Sequence, residues 1–210
     1  MTVPSYWERE DYLRSFLKVF MISTLGLVLS GCHSDTPHSP TKHVTASAAQ
    51  PKSQATIEDI AGSAKQDEHQ HTYVCPPNKI MTGRHHTGDE EGPTYYFCGT
   101  ATQGGPLTVK QETWEGPYNE YDGYKFECQE NQVMTGREHW GDERTSQTHY
   151  GCGSIKGPLG DIYVIKDLAW HHIDQEKNSI FDCPTNKVLV GRGHEDDENG
   201  PTEYLCGTLW

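Results

Sequence analysis

Five side chains able to bind, clamp or exchange protons recur three times at matched spacing. Arg84, His86, Asp89, Glu90 and Tyr96 form the first set. Arg137, His139, Asp142, Glu143 and Tyr150 form the second, and Arg192, His194, Asp197, Glu198 and Tyr204 the third. From residue 72 onward there are four Arg, and three of them stand at this one repeat position although Lys is commoner. A guanidinium is therefore wanted for itself, because its planar fork grips a carboxylate with two parallel bonds and an ammonium cannot.

Two uses of the set compete. In the structural one, each Arg clamps an acid of its own turn, Tyr covers the pair, and His and Thr satisfy backbone groups. In the functional one, each copy lines a ligand pocket in which Tyr stacks on sugar faces while Arg, His and the acids bond hydroxyls or carboxylates. Other chemistries find less support. The acidic run Asp196-Asp197-Glu198-Asn199-Gly200 lacks the ligand spacing and distal Glu of a calcium loop. A zinc site would need His residues from several copies to converge. No Ser recurs at a matching place, and the Cys are taken up by bridges, so no nucleophile is assigned. The expectation is no catalytic residue, no metal and no cofactor.

The elements that must position these sets are read from the copies themselves, 75–99, 128–153 and 183–207. Each begins at a Cys, continues through an aliphatic residue and Gly-Arg, crosses a Gly/Asp/Glu turn, and returns through Thr and Tyr to Cys-Gly. That pattern predicts a β-hairpin, with arms Lys79–His86 and Thr94–Gly99 in the first copy. A hairpin brings its outer ends together, so the pairing Cys75–Cys98, Cys128–Cys152 and Cys183–Cys206 follows. Two connectors, around Leu107–Trp114 and Ile162–Trp170, predict further strands, with both Trp in the core. Each returns through an aromatic residue two before the next Cys, Phe126 or Phe181. Three hairpins with only two connectors favour a linear or incompletely closed row. A pseudo-three-fold trefoil or prism remains open if Thr72–Val74 and the C-terminal strand supply the missing third. The fold class is all-β, in three disulfide-closed repeats of about 54 residues.

Composition agrees with a stapled domain. The chain has 210 residues and a formal net charge of −13. Only 24 Leu, Ile, Val and Phe lie in the 179 residues from Cys32 onward, so a small core must be helped by cross-links. The negative charge repels nucleic acid phosphates, and no nucleic-acid partner is expected.

Val19 to Leu29 is an apolar run of signal-peptide length, ending in Leu29-Ser30-Gly31-Cys32. This resembles the lipobox of bacterial lipoproteins. The resemblance implies cleavage of residues 1–31, lipidation of Cys32, and attachment to a membrane of the cell envelope. His33 follows the Cys, and the absence of Asp there implies the outer membrane if the host is Gram-negative. Residues 32–71 contain no Phe, Trp or Tyr and show no apolar period, so they read as a lipidated flexible tether carrying a domain at 72–210. Three equal sites suit multivalent binding better than catalysis. The sequence therefore points to a membrane-anchored envelope or cell-surface binding protein for a glycan or an envelope protein. The runner-up is a structural, inhibitor or immunity lipoprotein.

Overall fold

A computed structural model describes residues 53–89, 91–142 and 145–210. Residues 1–52, which include the expected signal segment, Cys32 and most of the expected tether, lie outside the described residues, as do Glu90, Glu143 and Arg144. The strands run in chain order as β1 (Thr56–Gly62), β2 (Gln66–Asp67), β3 (Gln70–Val74), β4 (Lys79–His86), β5 (Pro93–Thr102), β6 (Thr108–Tyr118) and β7 (Tyr124–Glu127). They continue as β8 (Gln132–Trp140), β9 (Gln147–Lys156), β10 (Ile165–Ile173), β11 (Ile180–Asp182), β12 (Lys187–His194) and β13 (Thr202–Leu209). A 3-10 turn covers Glu176–Asn178. The fold is all-β, as expected.

The three hairpins are β4–β5, β8–β9 and β12–β13, all antiparallel. Each is closed by the expected bridge, Cys75–Cys98, Cys128–Cys152 and Cys183–Cys206, with Cα atoms 5.8 Å apart in every case. Closing a loop of this length stabilises by about 3 kcal/mol on the chain-entropy account.

The arrangement is closed rather than linear. Each returning arm takes a long strand on its outer side: β1 on β5, β6 on β9 and β10 on β13. Each first arm takes a short strand from another repeat: β3 on β8, β7 on β12 and β11 on β4. The last exchange returns to the first hairpin, so three sheets interlock in a cycle. The first arms β4, β8 and β12 all touch one another and so surround a common pseudo-three-fold axis. Side chains repeat the closure. Asn78 accepts from Val109 N, Asn131 from Ile165 N, and Asn186 from Ile57 N, at 3.2, 3.2 and 3.1 Å.

The third connector is β1, which corrects the reading of residues 32–71 as tether. The domain extends upstream of residue 72 to at least Ser53. Thr56–Gly62 pairs with β5 in register Thr56↔Thr102 to Gly62↔Phe97. Its signal was hidden because β1 is an edge strand with mostly exposed side chains. Backbone ladder bonds hold such a strand, and these leave no apolar period.

Gly-Arg recurs for a steric reason. A Cβ on Gly83, Gly136 or Gly191 would lie 2.7, 2.8 or 2.3 Å from a backbone oxygen of Phe181, Tyr73 or Phe126. These are the exchanged strands β11, β3 and β7, so the glycine lets the neighbouring repeat approach. Trp114, expected in the core, is 40% exposed and lies on the outer face, its ring edge against Gly136. Trp170 is half-buried at the margin of the core, beneath the Lys125 ammonium.

The interior has two parts. At the pole remote from the hairpin turns, the base, an apolar cluster gathers Ile80, Val133 and Val188 with Ala101, Ile155 and Leu209 and with Ala55, Leu107 and Tyr163. Toward the turns, the crown, the interior becomes polar.

Candidate functional site

The crown interior is a ring of six buried charges. Arg84, Arg137 and Arg192 project inward from the three first arms, each 1% exposed. Their partners are Glu68, Glu120 and Glu176, which precede β3, follow β6 and occupy the 3-10 turn. Glu68 Oε1 joins Arg84 at 2.8 Å and Arg137 at 2.5 Å. Glu120 Oε1 joins Arg137 at 2.9 Å and Arg192 at 2.7 Å. Glu176 Oε1 joins Arg192 at 2.5 Å and Arg84 at 2.7 Å. Every Glu thus bridges two repeats, and every Arg is held by two acids.

Around this ring lies a second polar layer. The guanidiniums donate to Tyr hydroxyls of other repeats: Arg84 to Tyr204 at 3.3 Å, Arg137 to Tyr96 at 3.1 Å and Arg192 to Tyr150 at 3.0 Å. These Tyr rings stack on partners in the exchanged strands: Tyr96 on Tyr73, Tyr150 on Phe126 and Tyr204 on Phe181, with centroids 4.9, 4.6 and 4.5 Å apart. The residues two before those aromatics, His71, Tyr124 and Ser179, meet the same three hydroxyls. His86 and His139 pair through Nδ1 with Thr94 and Thr148 at 2.8 and 2.7 Å. His194 Nδ1 instead lies 2.9 Å from Glu176 Oε2.

The expectation that Arg clamps an acid of its own turn is corrected here. Among the described residues, Asp89, Asp142 and Asp197 make no ion pair with Arg84, Arg137 or Arg192. The turn acids sit at the solvent end of the hairpins, where Asp89 and Asp142 are exposed and Asp197 and Glu198 half-buried. A buried guanidinium must instead be matched by carboxylates at its own depth, or the desolvation cost stands uncompensated. Those carboxylates stand seven, eight and seven residues before Cys75, Cys128 and Cys183. The spacing lies just upstream of each copy, whose recurring pattern begins at its Cys. The Arg, His and Tyr residues singled out by recurrence therefore meet in one axial network, not in three separate surface pockets. His86 is fully buried, whereas its neighbour His85 is half-buried on the other face of β4.

The electrostatics follow from this burial. Burial pushes the Glu68, Glu120 and Glu176 carboxyls up, but the adjoining guanidiniums overcome it and hold all three well below the usual range. Burial pushes His71 and His86 down to about 4, against an ordinary 6.5. His139 is lowered by burial and then by Arg137. His194 departs from the others: burial lowers it, but Glu176 outweighs that and raises it. Tyr96 is pushed up to about 12 by burial. At neutral pH the ring carries three positive and three negative charges.

No protein-family model, curated protein or solved structure matches the chain. The reading of the site rests on its geometry and chemistry.

Proposed function

We propose that this protein is a lipid-anchored binding protein of the bacterial envelope that offers its acidic crown to a basic protein surface. The observation that carries this reading is polarity along the axis. The described chain enters the domain at the base, where Ala55 N donates to Leu209 O at 2.9 Å and Thr56 pairs with Thr102. The three turns and the loops beside them lie at the other pole and bear the exposed acids Asp67, Asp89, Asp122, Asp142, Asp174 and Asp196. A tether leading to Cys32 would therefore hold the crown away from the membrane. The crown's field would steer a cationic partner and fix its orientation. The burial of Arg, His and Tyr favours a protein over a glycan, because the stacking rings and hydroxyl-binding groups are used internally. Three interlocked sheets and three bridges supply a rigid platform, which limits the ordering cost of binding.

Two measurements test the reading. Cys32→Ala should move the protein from membranes to the soluble fraction and lower its mass by the acyl groups. Unchanged membrane association and mass would refute the anchor. For the crown, the triple variant Asp89→Asn/Asp142→Asn/Asp196→Asn should lose a basic partner that cross-links to the parent in envelopes, and parent binding should weaken with salt. Retained cross-linking in the triple variant, or discrete glycan-array hits indifferent to it, would refute the crown as the binding face.

A further inference from the structure

The guanidiniums of the ring engage one oxygen of each carboxylate, and of the other oxygens that of Glu68 accepts from Thr94 Oγ1. Glu68, Glu120 and Glu176 all commit Oε1 to two guanidiniums. Their Oε2 atoms turn instead toward the histidine layer. The distances are 3.9 Å from Glu68 to His86 Nδ1, 3.9 Å from Glu120 to His139 Nδ1, and 2.9 Å from Glu176 to His194 Nδ1. On the crown side of these groups lies a cavity of about 20 Å³, room for one water-sized occupant. The three Glu and three His line it, with Asp196, Asp197 and Glu198 of the third turn above. His86 is 0% exposed, and its Nε2 has no hydrogen-bond partner. A buried imidazole nitrogen without a partner is a lost hydrogen bond unless an occupant supplies one.

The geometry points to a divalent metal ion of the zinc or manganese kind bound on this axis by Glu120, Glu176 and His194. One ligand atom from each of these residues lies within 4.8 Å of the other two. A small inward movement brings such a triangle to bonds of about 2.0–2.2 Å around one ion. Imidazole with carboxylates and no thiolate suits zinc or manganese better than a soft metal. Charge gives the sign of the occupant. The three guanidiniums balance the three Glu of the ring, and Asp196 and Asp197 add negative charge beside the cavity. Asp197 and Glu198 line the same cavity, where they would act on the ion through water as outer-shell groups. The ion would tie the end of β12, at His194, to the loop after β6 and to the 3-10 turn. This inference stands whether or not a protein docks on the crown.

The test uses the full-length protein in detergent, stripped with chelator and titrated calorimetrically with zinc chloride and with manganese chloride. Calcium chloride serves as the all-oxygen comparison. We expect one equivalent of zinc or manganese per chain and a rise in melting temperature on loading. Asp197→Asn/Glu198→Gln, both outside the Arg–Glu ring, should melt close to the stripped parent and bind the ion at least about tenfold more weakly, as loss of outer-shell groups does. His194→Gln should abolish the site. The full chain also carries His33, His38 and His43, so binding by the parent alone does not count in support. Affinity unchanged in the Asp197→Asn/Glu198→Gln variant, or no uptake of either ion by the parent at millimolar concentration, overturns the proposal.

Discussion

The base and the crown obey the same three-fold plan with opposite tolerance. At the base, equivalent positions differ in size: Ala101, Ile155 and Leu209 are one such set, and Ala55, Leu107 and Tyr163 another. The members of the second set are matched by their bonds, since Ala55 N, Leu107 N and Tyr163 N donate to Leu209 O, Ala101 O and Ile155 O. In two of the three pairs the sizes trade off locally, small Ala55 beside Leu209 and Leu107 beside small Ala101, while the third sets Tyr163 beside Ile155. At the crown the residues outside the charged network vary, with His71, Tyr124 and Ser179 at one equivalent place, but the network itself does not. Arg, Glu, Tyr, Thr and His each occupy all three equivalent places. Dispersion and apolar burial are non-directional, so volume can be redistributed around a ring if the total fills the space. A buried ion pair fixes direction as well as distance, and one wrong member leaves its neighbours buried and unpaired.

The bridges lie where the two regions meet, and their removal should have the largest effect. Reduction of all three should withdraw about 10 kcal/mol on the chain-entropy account, comparable with a domain's whole net stability. Circular dichroism and urea melts should show a chain unfolded at 37 °C. A reduced chain that melts like the oxidised one would mean that crown and base suffice without bridges.

Within the crown, Glu120→Gln should cost about 3–5 kcal/mol, because it leaves Arg137 and Arg192 each short of a buried counter-charge. Urea denaturation measures it. A loss under about 1 kcal/mol would erase the contrast with the base.

Between pH 7 and pH 5 acid should act through the crown histidines. His71 and His86, pushed down to about 4, are neutral when folded at pH 7. Their contribution is present above the ordinary 6.5 and is lost as pH falls toward 4. His139 follows the same direction. His194 is raised and works oppositely: its contribution is present below the ordinary value and is lost as pH rises through its folded value. Three groups against one predict a melting temperature several degrees lower at pH 5 than at pH 7. Below the ordinary carboxylate range the ring acids add a further loss as they protonate. A flat profile from pH 7 to 5 would show that the buried His do not titrate with folding.

The contrast also explains what could be read from sequence. The hairpins and bridges were legible because Cys, Gly and the turn acids mark them locally. The recurrence of Arg, His and Tyr was legible because directional contacts forbid substitution. Their true partners were not, since Glu68, Glu120 and Glu176 stand in connectors whose other residues diverge, and the pairing crosses between repeats. β1 was missed because an exposed edge strand is defined by its backbone. The base was half-visible: Ile80, Val133 and Val188 recur as aliphatics, whereas Ala, Leu and Tyr at one equivalent position conceal their equivalence.

The smallest effect should come from moving volume at the base. Leu209→Ala alone removes a fully buried side chain and should cost about 2–5 kcal/mol through transfer and cavity. Ala55→Leu alone overfills a packed site and should cost about 1–3 kcal/mol. Ala55 meets Leu209 directly, through the bond from Ala55 N to Leu209 O at 2.9 Å, so the two changes are not independent. In the double variant the larger side chain introduced by Ala55→Leu enters the space that Leu209→Ala vacates. Total volume is nearly kept, and the net cost should fall below about 1.5 kcal/mol. A double-mutant cycle by urea denaturation reads the coupling directly. Strong favourable coupling would establish that the base is specified by summed volume and not by residue identity. Additive losses would show that each apolar position is as exacting as an Arg of the crown, and the distinction between the two poles would collapse.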